Sequence, residues 1–390
     1  MENIDFEHRT RLVFGAGQVG RLGELARECG GSRVLVVSDP GVVAAGHFQR
    51  GVDSLSQSGL AIEAFHGVCE NPSSREVEAG LEVAKKFSPD LIVGLGGGSS
   101  MDCAKGINFL ISCGGKMQDY WGVGKATSEM LPMIAVPTTA GTGSEAQSFA
   151  LISDAETHVK MACGDPRAAC KVALLDPELT LTQPPGVTAL TGIDAISHAL
   201  ESFVTRRRNP LSICYSRRAW QLLSEGLPKV LTEPLNIDAR AQMQLGAYFA
   251  GLAIETSMLG AAHALANPLT ARFGVTHGQA VGMMLPGVIR FNGQEVPAWY
   301  DELWHDVQRS ELGQQAEAGT PSESLSRFVR RLVAKAGLET ELSQLGVAED
   351  AIDVLAEDAT KQWTGTFNPR PLSQDDFREI YMQTFQREAC

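Results

Sequence analysis

Several features that would mark a membrane, disulfide-rich or nucleic-acid-binding protein are missing from this sequence. No apolar run approaches the length of about eighteen residues that spans a bilayer. The eight cysteines include no C-x-x-C pair, so neither a disulfide framework nor a cysteine-based zinc knuckle is expected. The 33 Lys and Arg residues are outnumbered by 46 Asp and Glu residues, which argues against nucleic acid or anionic membranes as the main partner. The opening MENIDFEHRT looks like neither a signal nor a transit peptide, so we expect a cytoplasmic protein.

Short runs of Val, Ile and Leu without polar alternation recur through the first half of the sequence. Such runs are typical of strands buried on both faces, as in a parallel sheet covered by helices. Between them, a helix is predicted over Ser73–Phe87, where an N-cap serine is followed three residues later by Glu76. This alternation predicts a doubly wound, Rossmann-like α/β domain. The predicted strands are Arg33–Ser38, Ala61–Val68, Leu91–Leu95, Met133–Val136 and Lys171–Leu175.

The second half of the sequence is dominated by helical periodicity. A proline-rich connector, Asp176–Gly186, ends the first half, and buried-strand runs are almost absent beyond it. Thr320–Ala336 carries one apolar stripe and stops before Gly337, and Ser373–Phe385 begins with a Ser/Asp signal. We therefore predict an α/β domain over residues 1–185 and an all-α domain over residues 186–390.

Four side chains in the predicted helical domain have the composition of a metal site. Asp194 and His198 stand four apart in a helical stretch, which places both on one face, one turn apart. His263 lies in a second helical stretch, and His277 follows it. Three imidazoles and one carboxylate suit a divalent first-row metal such as iron or zinc better than calcium or magnesium. Any single histidine could belong to the core or the surface, but the set of four favours a metal site.

Two glycine-rich segments could hold the phosphates of a dinucleotide. GAGQVG at Gly15–Gly20 matches G-x-G-x-x-G, and Asp39 ends the next predicted strand. GLGGGSS at Gly94–Ser100 follows a buried strand and opens a helix, so its backbone N–H groups could approach a pyrophosphate. PTTAGTGSE at Pro137–Glu145 adds hydroxyl groups after another buried strand. Loops at the carboxyl ends of parallel strands mark a ligand crevice, so we favour nucleotide binding over simple βα turns.

The chain resembles the iron-containing (group III) alcohol dehydrogenase family at four segments, in the family's order: GGGSSMDCAK, PTTAGTGSE, TGIDAISHALE and AAHALANPLTARFGVTHGQAVGMMLP. The resemblance covers nearly the whole chain. It implies an N-terminal α/β nucleotide-binding domain, a C-terminal helical metal-binding domain and a homodimer or larger homo-oligomer. It also implies Fe(II), or zinc or another divalent metal, held by Asp194, His198, His263 and His277.

The same resemblance implies a set of cofactor-binding residues. The GGGS loop matches the family's pyrophosphate loop, so the earlier GAGQVG segment is assigned to a structural turn. Asp39 matches a position that faces the adenosine ribose, where a carboxylate accepts hydrogen bonds from the 2′-OH and repels a 2′-phosphate. NAD is therefore favoured over NADP. The implied cofactor-binding residues are Asp39, Gly97, Gly98, Ser99, Asp102, Thr138, Thr139, Thr142, Lys160 and Leu179.

Two positions depart from the family pattern. The family often has a second histidine four residues after the ligand at 263, where this chain has Asn267, and often has histidine where this chain has Gly287. The first of these histidines lies near the nicotinamide and has been viewed as part of a proton path. Asparagine hydrogen-bonds but does not titrate near neutral pH, so the proton would leave through water or a ribose hydroxyl, or the activity would be reduced or directed at an unusual substrate.

These observations predict an enzyme that transfers a hydride between a small alcohol or aldehyde and NAD(H), with a metal polarising the substrate oxygen. Three alternatives share the architecture: a hydroxyacid–oxoacid transhydrogenase, a maleylacetate-reductase-like enzyme, and a metal- and NAD-using cyclase resembling dehydroquinate synthase. A binding protein that has lost catalysis is a fourth alternative. The intact four-ligand set argues against it.

Overall fold

The structure is a computed structural model that describes residues 6–385, and it divides into two compact units, Met1–Gln183 and Pro184–Cys390. All of the described strands belong to the first unit. They are β1 Arg11–Phe14, β2 Arg33–Val37, β3 Ala61–Phe65, β4 Leu91–Gly96, β5 Gly122–Val123, β6 Met133–Pro137, β7 Phe149–Ser153, β8 Lys160–Gly164 and β9 Val172–Leu175. The helices of this unit are α1 Leu22–Glu28, α2 Pro40–Ala44, α3 His47–Gln57, α4 Ser74–Phe87 and α5 Gly98–Cys113.

Six of these strands form one parallel sheet in the order β1-β9-β6-β4-β2-β3. Successive side chains of β2 enter two separate cores: Val34 and Val36 pack with α1 and α3, whereas Leu35 and Val37 pack with α4 and α5. The period of two along a strand makes this alternation necessary when helices cover both faces. The predicted doubly wound α/β fold of the first unit is therefore confirmed.

Local sequence signals account for α4 in detail. Ser73 is its N-cap, and the side chain of Glu76 returns to the backbone N–H of Ser73, which completes the predicted capping box. The prediction for β3 was too long, because the strand ends at Phe65 rather than Val68. β3 is also only partly buried, since it pairs with β2 alone and lies at the edge of the sheet.

A second, three-stranded sheet in the order β5-β8-β7 was not predicted. β7 and β8 form an antiparallel pair, and β5 adds two residues parallel to β8. The strands are short, and β8 (KMACG) mixes exposed and buried positions. β5 and β8 contain no apolar run longer than three residues, whereas the run in β7 (FALI) was overlooked in the sequence.

The second unit is helical, and no strand lies in its described part, residues 184–385. The predicted helices near residues 320 and 373 are present, with Thr320 as N-cap of the first and the side chain of Ser373 accepting from the N–H of Asp376 in the second. The predicted all-α character is confirmed. The helices are α6 Pro185–Val204, α7 Pro210–Thr232, α8 Ile237–Thr256, α9 Ala261–Phe273, α10 His277–Gly293, α11 Pro297–Val307, α12 Glu311–Gln314, α13 Pro321–Lys335, α14 Ile352–Thr360 and α15 Gln374–Phe385.

Helix α6 carries predicted site residues and is deeply buried. Every residue from Gly192 to Val204 is buried, and α7, α8 and α10 pack around it. A helix buried on all sides must satisfy its polar side chains within the protein. Among residues 6–385 no single helix is long and apolar enough to cross a membrane, although α8 and α9 taken together, bent by 104°, meet the same length and composition criteria.

Candidate functional site

Helix α6 presents three polar side chains on one face. Asp194, His198 and Glu201 are spaced by four and then three residues, which brings them onto one side of the helix. All three are buried. Polar side chains in such an interior are retained only when they have partners or ligands, so this face is the natural starting point for a site.

The carboxylate of Asp194 lies at the centre of three imidazoles. Its Oδ1 is 3.4 Å from Nε2 of His198, 3.7 Å from Nε2 of His263 and 3.6 Å from Nε2 of His277. The rings of His198 and His263 are stacked, with centroids 5.0 Å apart. One ligand atom each from Asp194, His263 and His277 lies within 4.8 Å of the other two. The structure thus brings together all four predicted ligands.

The donor atoms of this group fit a divalent metal. Asp194 Oδ1 and His263 Nε2 are buried, and within residues 6–385 neither has a hydrogen-bond partner. A buried polar atom left unsatisfied costs about 1–3 kcal/mol, so two of them side by side indicate a position meant for a ligand. Imidazole nitrogen and carboxylate oxygen are donors that iron and zinc accept.

The electrostatics of the group match this composition. Burial alone would raise the pKa of Asp194, but the neighbouring imidazoles of His198, His263 and His277 outweigh it and lower that pKa. Burial alone would lower the pKa of His263, but the carboxylates of Glu201 and Asp194 raise it to about 9. A metal that binds His263 must therefore displace a proton from the ring.

Glu201 is a candidate site residue that was not predicted from the sequence. Its Oε2 lies 2.5 Å from Nδ1 of His263, and its Oε1 accepts a hydrogen bond from the backbone N–H of Ala262 at 2.6 Å. The carboxylate thereby orients the ring of His263 so that Nε2 faces Asp194. A signal was present, because Glu201 stands seven residues after Asp194 on the same face of α6.

The two departures from the family pattern have different surroundings. Asn267 follows His263 by one turn of α9, and its side-chain amide donates to Oε1 of Gln362 at 2.9 Å. Gly287 lies on α10 against α15, where a Cβ would come within 3.0 Å of Cγ2 of Ile380. Packing against α15 therefore accounts for the glycine. At position 267, the hydrogen-bonded amides of Asn267 and Gln362 lie one helical turn from the predicted ligand His263.

In the first unit, the sheet brings the two predicted nucleotide loops together. β4 and β6 are neighbours, with Gly96 in register with Pro137, and the N–H of Thr138 donates to the carbonyl of Gly96 at 2.9 Å. At Gly98 a Cβ would lie 2.7 Å from both Cγ2 and Oγ1 of Thr142. At Gly97 a Cβ would lie 3.4 Å from Cγ2 of Thr139. The segments 96–100 and 138–142 therefore form one glycine-lined surface at the carboxyl end of the sheet.

Asp39 joins this surface from the end of β2. One carboxylate oxygen accepts from the N–H of Val42 at 3.0 Å and caps α2, and the other accepts from Oγ of Ser100 at 2.9 Å. Each carboxylate oxygen has a second lone pair, so the group retains acceptor capacity for a ligand hydroxyl.

Lys160 and Ser99 meet through Asn71, which was not predicted. The ammonium of Lys160 donates to Oδ1 of Asn71 at 3.2 Å, and the N–H of Asn71 donates to Oγ of Ser99 at 3.1 Å. Asn71 has φ of 52°, a left-handed conformation in which asparagine is enriched. Asparagine in a loop gives no periodic signal, so only the structure reveals this link.

Two further residues predicted to bind the cofactor, Asp102 and Leu179, are buried. Burial raises the pKa of the Asp102 carboxyl, while Lys105 and a 2.6 Å hydrogen bond from Oγ of Ser144 act in the opposite direction. Leu179 is buried in the core of the first unit beside Val13 and Val19, with only 1% of its surface exposed.

The early glycine motif is already occupied by a side chain of the protein. Asp176 is fully buried, and its carboxylate accepts from the N–H groups of Gly17 at 3.1 Å and Val19 at 3.0 Å. These are the amides that a pyrophosphate would need. The hydrogen bonds support the prediction that GAGQVG is a structural turn.

The chain is similar to known proteins along most of its length. The family model described as iron-containing alcohol dehydrogenase matches residues 9–177, and that of the family's C-terminal part matches residues 188–385. Alcohol dehydrogenase 4 of Schizosaccharomyces pombe is 33% identical over 95% of this chain and 86% of its own length. The NAD-dependent methanol dehydrogenase of Bacillus methanolicus is 32% identical over 94% of this chain and 96% of its own length.

A solved structure shares the fold as well as the sequence. The crystal structure of a 1,3-propanediol oxidoreductase superposes with a TM-score of 0.92 and 30% identity, covering 98% of this chain and all of the other. The two family models together cover most of the chain, and the relatives align along nearly their full lengths. The chain therefore belongs to the iron-containing alcohol dehydrogenase family.

Proposed function

We propose that this protein is a metal-dependent oxidoreductase that transfers a hydride between a small alcohol or aldehyde and NAD(H). The observation that carries the proposal is the convergence of three imidazole Nε2 atoms on Oδ1 of Asp194, 3.4 to 3.7 Å away. Membership of the family implies an oxidoreductase that acts on alcohols. We propose in addition that the protein uses a metal and that NAD(H) is the partner in hydride transfer.

In this proposal Asp194, His198, His263 and His277 hold a divalent metal, Fe(II) or a similar ion such as zinc. When bound, such a metal acts as a Lewis acid that polarises an alcohol or aldehyde oxygen. Asp194 contributes the negative charge that offsets part of the ion's charge. Glu201 keeps the proton of His263 on Nδ1 by accepting its hydrogen bond, which leaves the Nε2 lone pair for the ion.

The cofactor in this proposal is NAD(H). Backbone N–H groups at Gly97, Gly98 and Ser99, at the start of α5, are suited to a pyrophosphate. Asp39 favours a free 2′-hydroxyl, because a carboxylate repels the 2′-phosphate of NADP. The name of the Bacillus methanolicus relative, NAD-dependent methanol dehydrogenase, supports the same choice. Thr138, Thr139, Thr142 and Lys160 are the proposed additional contacts, and Leu179 is proposed to support them from the core.

The proton released on alcohol oxidation needs a route that does not pass through Asn267. Its amide donates to Gln362 and has no ionisation near neutral pH. We infer that water or a ribose hydroxyl carries this proton, and that position 267 orients rather than titrates.

The test is an assay of purified protein with short aldehydes and NADH, and with primary alcohols and NAD, before and after metal removal by a chelator. We expect activity that is lost on chelation and restored by Fe(II) or zinc. The Asp194→Asn variant should retain little metal and little activity, whereas Asp238→Asn, at an exposed position on α8, should behave as the wild type. NADH oxidation that persists after complete removal of the metal would contradict a role of the metal in catalysis.

The alternatives differ in measurable ways. A transhydrogenase that keeps its cofactor would show no net NADH turnover with an aldehyde alone. The cyclase resembling dehydroquinate synthase is not favoured, because both matched family models are those of the iron-containing alcohol dehydrogenases. A homodimer or larger oligomer stays a prediction, which sedimentation of the purified protein would test.

A further inference from the structure

A lysine is fully buried in the first unit, and among residues 6–183 no carboxylate is hydrogen-bonded to it. Lys105 lies on α5, two turns after Gly98, and none of its side chain is exposed. Burying an ammonium group costs several kcal/mol unless its donors are satisfied. A leucine or methionine would fill this place without that cost, so the charge requires an explanation.

The ammonium is bound by backbone carbonyls from one short segment. Lys105 Nζ donates to the carbonyl oxygens of Ser144 at 2.7 Å, Gln147 at 2.8 Å and Phe149 at 2.8 Å. Three donors thus meet three main-chain acceptors, which matches the donor count of an ammonium group. Oγ of Ser144 lies 3.1 Å from Nζ and shares one of these three N–H groups with a carbonyl.

The residues that Lys105 holds are the same residues that hold Thr142. The N–H of Ser144 donates to Oγ1 of Thr142 at 3.3 Å, and the side-chain amide of Gln147 donates to the carbonyl of Thr142 at 2.8 Å. Thr142 in turn stands against Gly98, where even a methyl group would have no room. A continuous series of contacts therefore runs from Lys105 through Ser144 and Gln147 to the start of α5.

The same network reaches Asp102. Oγ of Ser144 donates to Oδ1 of Asp102 at 2.6 Å while it accepts from Lys105. Asp102 and Lys105 are three residues apart on α5, so Ser144 bridges two ionisable side chains of one helix face. If the segment 142–149 moved, both Thr142 and the hydroxyl of Ser144 that donates to Asp102 would be displaced.

We propose that Lys105 is a positioning residue for cofactor binding, whose ammonium holds the segment 142–149 against α5 in the arrangement that receives the dinucleotide. The residue does not touch the cofactor; it acts through Thr142 and Asp102. This inference rests on the proposed use of NAD(H) by this protein. It predicts that loss of the ammonium weakens cofactor binding and leaves metal binding by the second unit unaffected.

The principal variant is Lys105→Met, which keeps the length of the side chain and removes its donors. NADH binding is measured by fluorescence titration, metal content by elemental analysis, and folding by circular dichroism and thermal unfolding. We expect the NADH Kd to rise about tenfold or more, equivalent to the loss of one or two net hydrogen bonds, with metal content unchanged. The matched control is Lys85→Met, an exposed lysine on α4 that should bind NADH as the wild type does.

Chemical rescue separates positioning from packing. In Lys105→Ala the missing atoms correspond to n-propylammonium, which we expect to restore NADH affinity in a saturable manner. n-Butane has nearly the same shape and volume but neither charge nor N–H donors, and it should not restore the affinity. If only packing were lost, both molecules would restore it.

Gln147→Met is a second test that spares the buried lysine. It removes the hydrogen bond to Thr142 at a half-buried position, so the fold should persist even if variants at 105 unfold. We expect the NADH Kd to rise about threefold to tenfold, since one hydrogen bond is lost. A folded Lys105→Met that binds NADH within twofold of wild type would overturn the inference alone. Unfolded variants at 105 together with an unaffected Gln147→Met would also overturn it, and a wild-type chain that does not bind NADH would overturn the proposed function as well.

Discussion

Glu201 and His263 form a buried pair across two helices, with Oε2 of the glutamate 2.5 Å from Nδ1 of the histidine. The second oxygen of the same carboxylate accepts from the N–H of Ala262, so both acceptors are directed at the start of α9. The proton on Nδ1 is thereby fixed, and the Nε2 lone pair is left for a ligand.

Replacing this carboxylate by an amide should weaken metal binding. In Glu201→Gln the amide oxygen must face the N–H of Ala262, so the NH2 group faces Nδ1 of His263. The ring must then carry its proton on Nε2, where the metal would bind. We expect the metal Kd to rise about tenfold to a hundredfold, as measured by titration of metal-free protein.

A matched control for this substitution is Glu225→Gln, an exposed carboxylate on α7. It should bind metal as the wild type does. Wild-type affinity in the Glu201 variant would contradict the role assigned to this pair.

A methyl group at Gly98 should disrupt cofactor binding. The Cβ of Gly98→Ala would lie 2.7 Å from two side-chain atoms of Thr142, so one of the two nucleotide loops must move. We expect the NADH Kd to rise about tenfold or more, a loss of roughly 1.4 kcal/mol, measured by fluorescence titration.

Gly186→Ala is the comparison for that variant, because a Cβ at Gly186 would meet no atom within 4 Å. It should leave NADH affinity unchanged. If both alanine variants bind NADH equally well, the close approach at Gly98 has no bearing on the cofactor.

The buried carboxyl of Glu145 should make stability depend on pH. Burial raises its pKa from 4.5 to about 7 in the folded protein. The folded state therefore binds more protons than the unfolded state between these values, and stability falls as pH rises through that window. The full effect of such a shift is roughly 3 kcal/mol.

In Glu145→Gln this part of the pH dependence should disappear. Urea midpoints measured at pH values on both sides of the window give the comparison, with Glu156→Gln, an exposed carboxylate, as control. A wild-type midpoint that changes no more than that of Glu145→Gln would argue that the carboxyl is not neutral when buried.

Position 267 offers a test of the proton route. Asn267→His introduces an imidazole one turn from His263, in place of an amide that donates to Gln362. We expect the pH profile of kcat to gain an ionisation near the ordinary histidine value of about 6.5. Asn267→Gln keeps a non-titrating amide and should show the wild-type profile, so identical profiles for the two variants would exclude a proton path through this position.

Local signals in the sequence were sufficient for much of the fold. The capping box at Ser73 and Glu76 begins α4 as predicted, because both partners lie within one helical turn. Buried strands such as β2 were recognisable because helices cover both faces of the sheet. Side chains on both faces are then removed from water, so apolar residues follow one another without polar alternation. The spacing of Asp194 and His198 predicted a shared helix face because residues four apart lie one turn apart on a helix.

Contacts between distant residues were outside the reach of such signals. Asn71 meets Lys160 across 89 positions, and Glu201 meets His263 across 62. The strand β8 has no apolar run longer than three residues, so nothing in its own sequence indicates that it pairs with β7. No periodicity within either partner records that the other will be nearby.

The two glycine-rich turns are alike in sequence but differ in their tertiary contacts. By composition, GAGQVG and GLGGGSS both follow an apolar run and precede a helix, so sequence chemistry alone permitted either to receive a phosphate. The sheet then places Asp176, 159 positions from Gly17, against the first turn, where its carboxylate uses the amides. The second turn meets Thr142 instead, and its N–H groups stand at the start of α5. The sequence by itself determined which residues could build a phosphate site; the tertiary structure decided which of their amides remain available, because a backbone amide already bonded to a carboxylate cannot bind a ligand.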